Sequence, residues 1–141
     1  MFVVFDMDGT LSDPSHRVHF LTQEKKDWDS FYEACDGYAP KDEILNTMAS
    51  MISSGNTVEI WTGRRESTRQ KTQYWLLRYG IRGGYDLRMR KDGDHRHDTI
   101  SKGEWLEEFG RPDLVFEDRN SMVEFYRSKG ITCAQVALGD F

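Results

Sequence analysis

The pattern of apolar and polar positions changes period several times along the chain, and the changes mark its elements. Phe2-Val3-Val4-Phe5 is a continuous apolar run that stops at Asp6, as a short buried strand does. Gly9 and Asp13-Pro14 mark the turn after it. Over 22–34, Trp28, Phe31 and Tyr32 recur at helical spacing, and Gly37 and Pro40 punctuate the stretch beyond. Over 41–54, Ile44, Leu45, Met48, Met51 and Ile52 form an apolar helical stripe, with Gly55 as the stop after it. Thr57-Val58-Glu59-Ile60-Trp61 is rich in strand formers and runs into Thr62-Gly63-Arg64. A helix over 66–79 turns Thr72, Trp75, Leu76 and Tyr79 inward and stops at Gly80. A short strand at 86–89 and a charged loop at 91–98 come next, then a helix over 100–109 that Arg111-Pro112 closes. Leu114-Val115-Phe116 is a third apolar run, capped by Glu117-Asp118. A helix over 120–129 turns Met122, Val123 and Tyr126 inward, and 131–138 is the last strand.

Strands alternating with helices predict an α/β fold: a Rossmann-like parallel sheet with helices on both faces. A chain of 141 residues is one domain, 1–141, with a small cap-like insert after the first strand, around 19–40. Open parallel sheets bind ligands beyond the carboxyl ends of their strands. Here the three best strands end in Asp6-Met7-Asp8, Thr62-Gly63-Arg64 and Glu117-Asp118-Arg119. Each could be an ordinary loop. All three at one sheet edge make a site.

Composition narrows the class. Only 38% of residues are hydrophobic, but 8 Phe, 6 Tyr and 4 Trp supply large buried areas and argue against disorder. The net charge of -5 gives no electrostatic case for tight duplex binding, yet leaves room for a local basic pocket. Cys35 and Cys133 are far apart and lack zinc-ligand spacing. They are expected to be partly buried free thiols in a reducing compartment. No apolar run approaches the roughly 18 residues of a membrane span, and Met1 to Phe5 runs straight into Asp6, unlike a signal peptide. The expectation is a soluble cytoplasmic protein with no membrane partner.

Asp6-x-Asp8-Gly9-Thr10 is the strongest chemical signal. Two carboxylates one residue apart can face one pocket if the strand unwinds after the first. One can attack phosphorus; the other can protonate the leaving oxygen and then activate water. Gly9 permits a sharp turn, and Thr10 can hold it by hydrogen bonding. A plain acidic loop or a calcium site is the competing reading, but the extended calcium-loop pattern is absent.

Phe5-Asp6-Met7-Asp8-Gly9-Thr10-Leu11 resembles the first signature of the haloacid dehalogenase superfamily. Thr62 matches that superfamily's phosphate-binding Ser/Thr, Lys102 its basic residue, and Glu117-Asp118 its acidic pair, in the expected order. More narrowly, the chain is similar to the phosphatase domain of bacteriophage polynucleotide kinase-phosphatases. Arg17 carries this, with Thr62-Gly63-Arg64, Met89-Arg90 and Gly93-Asp94-x-Arg96-x-Asp98-x-x-x-Lys102. Glu117-Asp118-Arg119 and the ending Gln135-Val136-Ala137-x-Gly139-Asp140-Phe141 complete it.

The resemblance implies a Mg2+-dependent phosphomonoesterase that removes 3′-phosphates from nucleic-acid ends through an aspartyl-phosphate intermediate. It implies Asp6 as nucleophile and metal ligand, and Asp8 as general acid and base with its carbonyl on the metal. Thr62 would bind a phosphate oxygen, and Lys102 would neutralise the phosphoryl group and restrain Asp6. Asp98 and Asp118, with Glu117, would organise Lys102 and the metal. Arg17, Gly63 and Arg64 would contact phosphate or leaving group. Magnesium also has a physical rationale: a dianionic phosphate approaches four carboxylates only if charge is neutralised. The chain departs from the family in having Thr at 62, Glu at 117 and an unmatched segment from His19 to Pro40. It has no G-x-x-x-x-G-K-[ST], so the phosphate loop of the partner kinase is missing from this chain; a separate kinase or ligase stays open as a partner.

Rival readings stay open. A phosphatase of free nucleotides or other small phosphomonoesters uses the same machinery. A non-catalytic module would keep the fold and bind without turnover. Trp28, Phe31 and Tyr32 could stack on bases, although their spacing favours core packing; Trp61, Trp75 and Trp105 are assigned to the core. His95 and His97 read as loop residues rather than zinc ligands. Arg64, Arg65, Arg69, Lys71 and Arg78 form either a phosphate-tracking surface or a solvated helix face.

Overall fold

The computed structural model describes residues 1–15, 26–27, 30 and 35–141. Among these residues the order is β1 (Phe2–Phe5), β2 (Ser12–Asp13), β3 (Ala39–Pro40), α1 (Asp42–Ser53), β4 (Thr57–Arg65), α2 (Arg69–Arg78) and β5 (Tyr85–Arg90). Then come α3 (Asp98–Phe109), β6 (Leu114–Glu117), α4 (Asn120–Ser128) and β7 (Thr132–Gln135). β1, β4, β5, β6 and β7 form a parallel sheet in the order β5-β4-β1-β6-β7. β2 and β3 pair antiparallel beside it.

Side chains alternate across a strand, and the sheet sorts them into two cores. Val3 and Phe5 of β1 pack with Val58 and Ile60 of β4, Leu45 and Met48 of α1, and Trp75 and Leu76 of α2. On the other face, Val4 packs with Trp61, Val115, Leu106 of α3, and Met122, Val123 and Tyr126 of α4. The sheet is thus covered by helices on both faces, as the alternation predicts. Truncating a fully buried side chain such as Leu76 to Ala is expected to cost about 2–5 kcal/mol. Both cysteines are buried and free.

The order places β1 between β4 and β6, so the carboxyl ends of the three predicted strands are neighbours. Asp6 N–H donates to the Phe116 carbonyl at 2.9 Å, which locks the end of β1 to β6. No helix among the described residues is long and apolar enough to cross a membrane.

Several boundaries differ from expectation. β4 does not stop at Trp61 but continues to Arg65, through an irregularity between Thr62 and Arg65 where it pairs with β5. Arg64 and Arg65 therefore belong to the strand and not to the next helix, which begins at Arg69 after a 3-10 turn at Glu66–Thr68. Asp98 opens α3 instead of closing the charged loop, with the His97 ring accepting from the Thr99 N–H at its N-terminus. The last strand ends at Gln135, short of 138. Trp61 and Trp75 are buried, whereas Trp105 is half-buried and meets Trp61 edge-on at 6.0 Å. The helix expected over 22–34 and most of the 19–40 insert lie outside the described residues, as do Arg17, Trp28, Phe31 and Tyr32.

Candidate active site

After Asp6 the chain leaves the sheet and folds back on itself. Leu11 and Ser12 N–H groups both return to the Met7 carbonyl, at 2.9 and 3.1 Å, and Gly9 N–H donates to the Ser12 carbonyl at 2.8 Å. Gly9 has φ +90, and a Cβ there would lie 2.1 Å from Asp118 Oδ2. Glycine is required both for the left-handed backbone and for the close approach of Asp118. Lys41, just before α1, donates to the Gly9 carbonyl at 3.0 Å. Thr10 Oγ1 donates to Asp118 Oδ1 at 3.3 Å, tying this turn to the end of β6.

At the floor of the site, Lys102 reaches from α3 and is 2% exposed. Its Nζ donates to Asp6 Oδ1 at 2.8 Å and to Glu117 Oε2 at 3.2 Å. Glu117 Oε1 accepts the backbone N–H groups of Asp118 and Arg119, at 3.0 and 3.2 Å, so both its oxygens have work within the fold. Asp6, Glu117 and Asp118 each offer an oxygen, and these oxygens lie within 4.8 Å of one another. Three hard donors so crowded suit a small divalent cation.

The electrostatics record the crowding. Burial first, then the charge of Glu117, push the Asp6 carboxyl well above the usual carboxylate range, and Lys102 draws it back only in part. Asp118 is pushed up to about 8 by burial and by Glu117. Burial opposes the charge on Lys102, but Asp6 and Glu117 outweigh it and hold the ammonium well above the ordinary lysine value. One lysine does not neutralise three buried acids, and a bound cation would relieve the excess negative charge.

Asp8 points elsewhere. Arg64 grips it with Nε at 3.0 Å from Oδ2 and Nη2 at 2.6 Å from Oδ1, while Ser12 Oγ donates to Oδ1 at 3.1 Å. Arg64 is fully buried, its Nη1 held by Thr72 Oγ1 at 2.9 Å and its guanidinium 5.6 Å from the centre of the Tyr38 ring. Burial disfavours its charge, yet Asp8 more than compensates and raises its pKa. Thr62 is buried beside them, its hydroxyl accepting the Arg64 N–H at 3.1 Å.

The fold therefore brings together Asp6, Asp8, Thr62, Arg64, Lys102, Glu117 and Asp118. Asp98 acts on Lys102 through its charge, as the last of the causes that raise the lysine's pKa. It pairs with Arg90, and its Oδ2 lies 3.5 Å from Arg119 Nη1. Gly63 contributes its carbonyl, which accepts from Arg90 Nε at 3.2 Å.

Sequence reasoning missed Lys41 and gave no role to Arg90 or the C-terminal tail, which it noted only as part of the resemblance. Lys41 carries no motif, and its partner is 32 positions away. Arg90 ends β5, so the strand-end rule would have found it had it been applied to the fourth strand. The tail works through the backbone: Gly139 carbonyl accepts from Asn120 N–H at 2.7 Å, and Arg119 Nε donates to the Phe141 carbonyl at 2.9 Å. A Cβ on Gly139 would fall 2.2 Å from the Asp118 carbonyl, which explains a glycine in that ending.

Comparison with known proteins points the same way. The family model described as the polynucleotide kinase PNKP phosphatase domain matches residues 1–141. Among solved structures, the chain is similar to one in the Pnkp1/Rnl/Hen1 RNA repair complex, with 28% identity and a TM-score of 0.81 over 99% of this chain and 43% of that one. A second structure of the Pnkp1/Rnl/Hen1 complex gives 29% identity and 0.78 over 99% and 46%. The chain thus spans less than half the length of those relatives. The class C acid phosphatase from Bacillus anthracis shares the fold, at 15% identity and a TM-score of 0.66 over 99% of this chain and 66% of that one.

Proposed function

The chain belongs to the family of polynucleotide kinase PNKP phosphatase domains and is a phosphoric monoester hydrolase of haloacid dehalogenase type; from that premise we propose that it removes terminal 3′-phosphates from nucleic acid with Mg2+ as cofactor. The observation that carries the reading is the buried Asp6–Lys102–Glu117 chain with Asp118 beside it, two residues from an Asp8 held by Arg64. The similarity to a chain of an RNA repair complex supports a nucleic-acid end as substrate.

In this reading Lys102 holds the Asp6 carboxylate in place and faces the phosphoryl oxygens, while Thr62 donates its hydroxyl to one of them. An oxygen of Asp6 attacks phosphorus as the bond to O3′ breaks. Asp8 delivers its proton to the departing O3′, leaving a free 3′-hydroxyl and an aspartyl phosphate. Asp8, now ionised, takes a proton from water, whose oxygen attacks phosphorus and releases inorganic phosphate and the Asp6 carboxylate. Arg64 orients Asp8 for both transfers. Mg2+ would be held by Asp6, Asp118, Glu117 and the Asp8 carbonyl, and when bound it supplies charge neutralisation for the incoming phosphate. Arg17 and Asp98 are proposed to assist on the substrate side, Asp98 by fixing Arg90 and Arg119.

The test measures phosphate release with magnesium from three substrates: an oligonucleotide with a 3′-phosphate, the same oligonucleotide with a 5′-phosphate, and a nucleoside 3′-monophosphate. Preference for the first supports end healing. Equal or better turnover of the mononucleotide moves the function to small phosphomonoesters. Asp6→Asn is expected to abolish turnover while the protein stays folded, and full activity in that variant would sink the mechanism.

A further inference from the structure

A cavity of about 340 Å3 lies at the same sheet edge, next to the acid cluster but separate from it. Among the described residues five cations line it: Lys26, Arg65, Arg90, Arg96 and Arg119. Two carboxylates line it as well, Asp94 paired with Arg96 at 3.0 Å and Asp98 paired with Arg90 and Arg119, and Arg96 also pairs with Glu104, so the cations exceed the acids without being free of them. The chain as a whole carries a net charge of -5, so this hollow concentrates positive charge against the trend of the molecule. Like charges gathered in one concave surface repel one another and focus a field that attracts an anion.

The cavity is built rather than incidental. Arg90 is buried, and its guanidinium is fixed by the carbonyls of Gly63, Asp94 and Arg96 as well as by Asp98. Two backbone links join it to the catalytic groups: Arg119 follows Asp118 directly, and Gly63 follows Thr62. The described lining is made of charged residues and histidines, with no Phe, Tyr or Trp among the described residues. Arginine forks and lysines suit phosphate oxygens.

We propose that this cavity binds the phosphodiester preceding the terminal phosphate of a polynucleotide. The inference rests on the 3′-phosphatase reading above and deepens it. The enzyme recognises two consecutive phosphates, one at Asp6 for reaction and one at the Arg65–Arg90–Arg119 cavity for placement.

The experiment compares kcat/KM, with magnesium and at low salt, for three substrates: a nucleoside 3′-monophosphate, the matching 3′,5′-bisphosphate, and a dinucleotide ending in a 3′-phosphate. The bisphosphate and the dinucleotide are expected to exceed the monophosphate by about tenfold or more, with the advantage shrinking as salt rises. Arg65→Gln is expected to lower kcat/KM for the dinucleotide far more than for the monophosphate. Lys26→Gln, at an exposed position, is expected to narrow the same ratio by about half or more. Equal kcat/KM for all three substrates, or a proportional loss on all three in both variants, overturns the second site while leaving the 3′-phosphatase reading intact. Release from none of them, with a 5′-phosphorylated dinucleotide turned over, overturns that reading and this inference with it.

Discussion

Replacing Lys102 by Met removes the ammonium between Asp6 and Glu117 but keeps the length of the side chain. The two hydrogen bonds that the ammonium donates are 2.8 and 3.2 Å long, and the lysine is 2% exposed, so water does not replace them. Removing one side of a buried ion pair costs about 3–5 kcal/mol. At roughly 2–4 °C per kcal/mol for a domain near this size, Tm falls by about 10 °C. The loss depends on pH, and its sign comes from Asp6. Lys102 lowers the Asp6 pKa, which burial and Glu117 already hold above the ordinary 3.8, so the variant's Asp6 rises further. Between the unfolded and the raised folded value the folded chain keeps this proton and the unfolded chain does not. Stability therefore falls as pH rises through that window, and it falls over a wider span in the variant. The deficit is expected to be smaller near pH 4 than near pH 8, in urea or thermal unfolding without divalent cations. Turnover falls by about 100- to 1000-fold as well, because the positive charge facing the phosphoryl group is gone. An equal stability deficit at both pH values, or turnover within about threefold of the parent, refutes the reasoning.

Added magnesium is expected to raise Tm, more so near pH 8 than near pH 5, because Asp118, with a pKa of about 8, must release its proton to take a cation. A chelated sample with the same Tm as the magnesium sample at both pH values contradicts the metal assignment. Gly9→Ala forces an L residue to φ +90 and its Cβ onto Asp118; a cost of about 1–2 kcal/mol for the backbone alone is expected in denaturant titration, with kcat reduced more than stability implies. Arg64→Lys keeps the charge but loses the fork on Asp8 and the Thr72 contact. It is expected to lower kcat by about 10- to 100-fold, part of the general-acid contribution, and to change the pH profile while KM moves little. A large KM effect at constant kcat would show instead that Arg64 binds substrate directly.

The sheet and its catalytic edge were legible in the sequence because each signal is local. Phe2 to Phe5 reads as a buried strand from four adjacent residues, and Asp6 and Asp8 announce their chemistry at the point where that run stops. The helical stripe of Ile44, Leu45 and Met48, and the strand ends at Thr62 and Glu117, are legible for the same reason. The features that were not legible depend on partners distant in the chain. Arg64, read as a surface cation or phosphate ligand, is wholly buried and spends its fork on Asp8, 56 positions earlier. Asp98, expected to help organise Lys102, acts on it through charge and in addition pairs with Arg90 and Arg119. Lys41 and Gly139 acquire their roles only where the turn after β1 and the end of β6 are packed against them.

The sequence by itself determined the period of each element, the residue types at the strand ends and therefore the class of chemistry. Only the tertiary structure decided which cation meets which acid. Apolar periodicity is a property of neighbours along the chain, whereas an ion pair is chosen by distance and burial between strands whose order no single segment encodes.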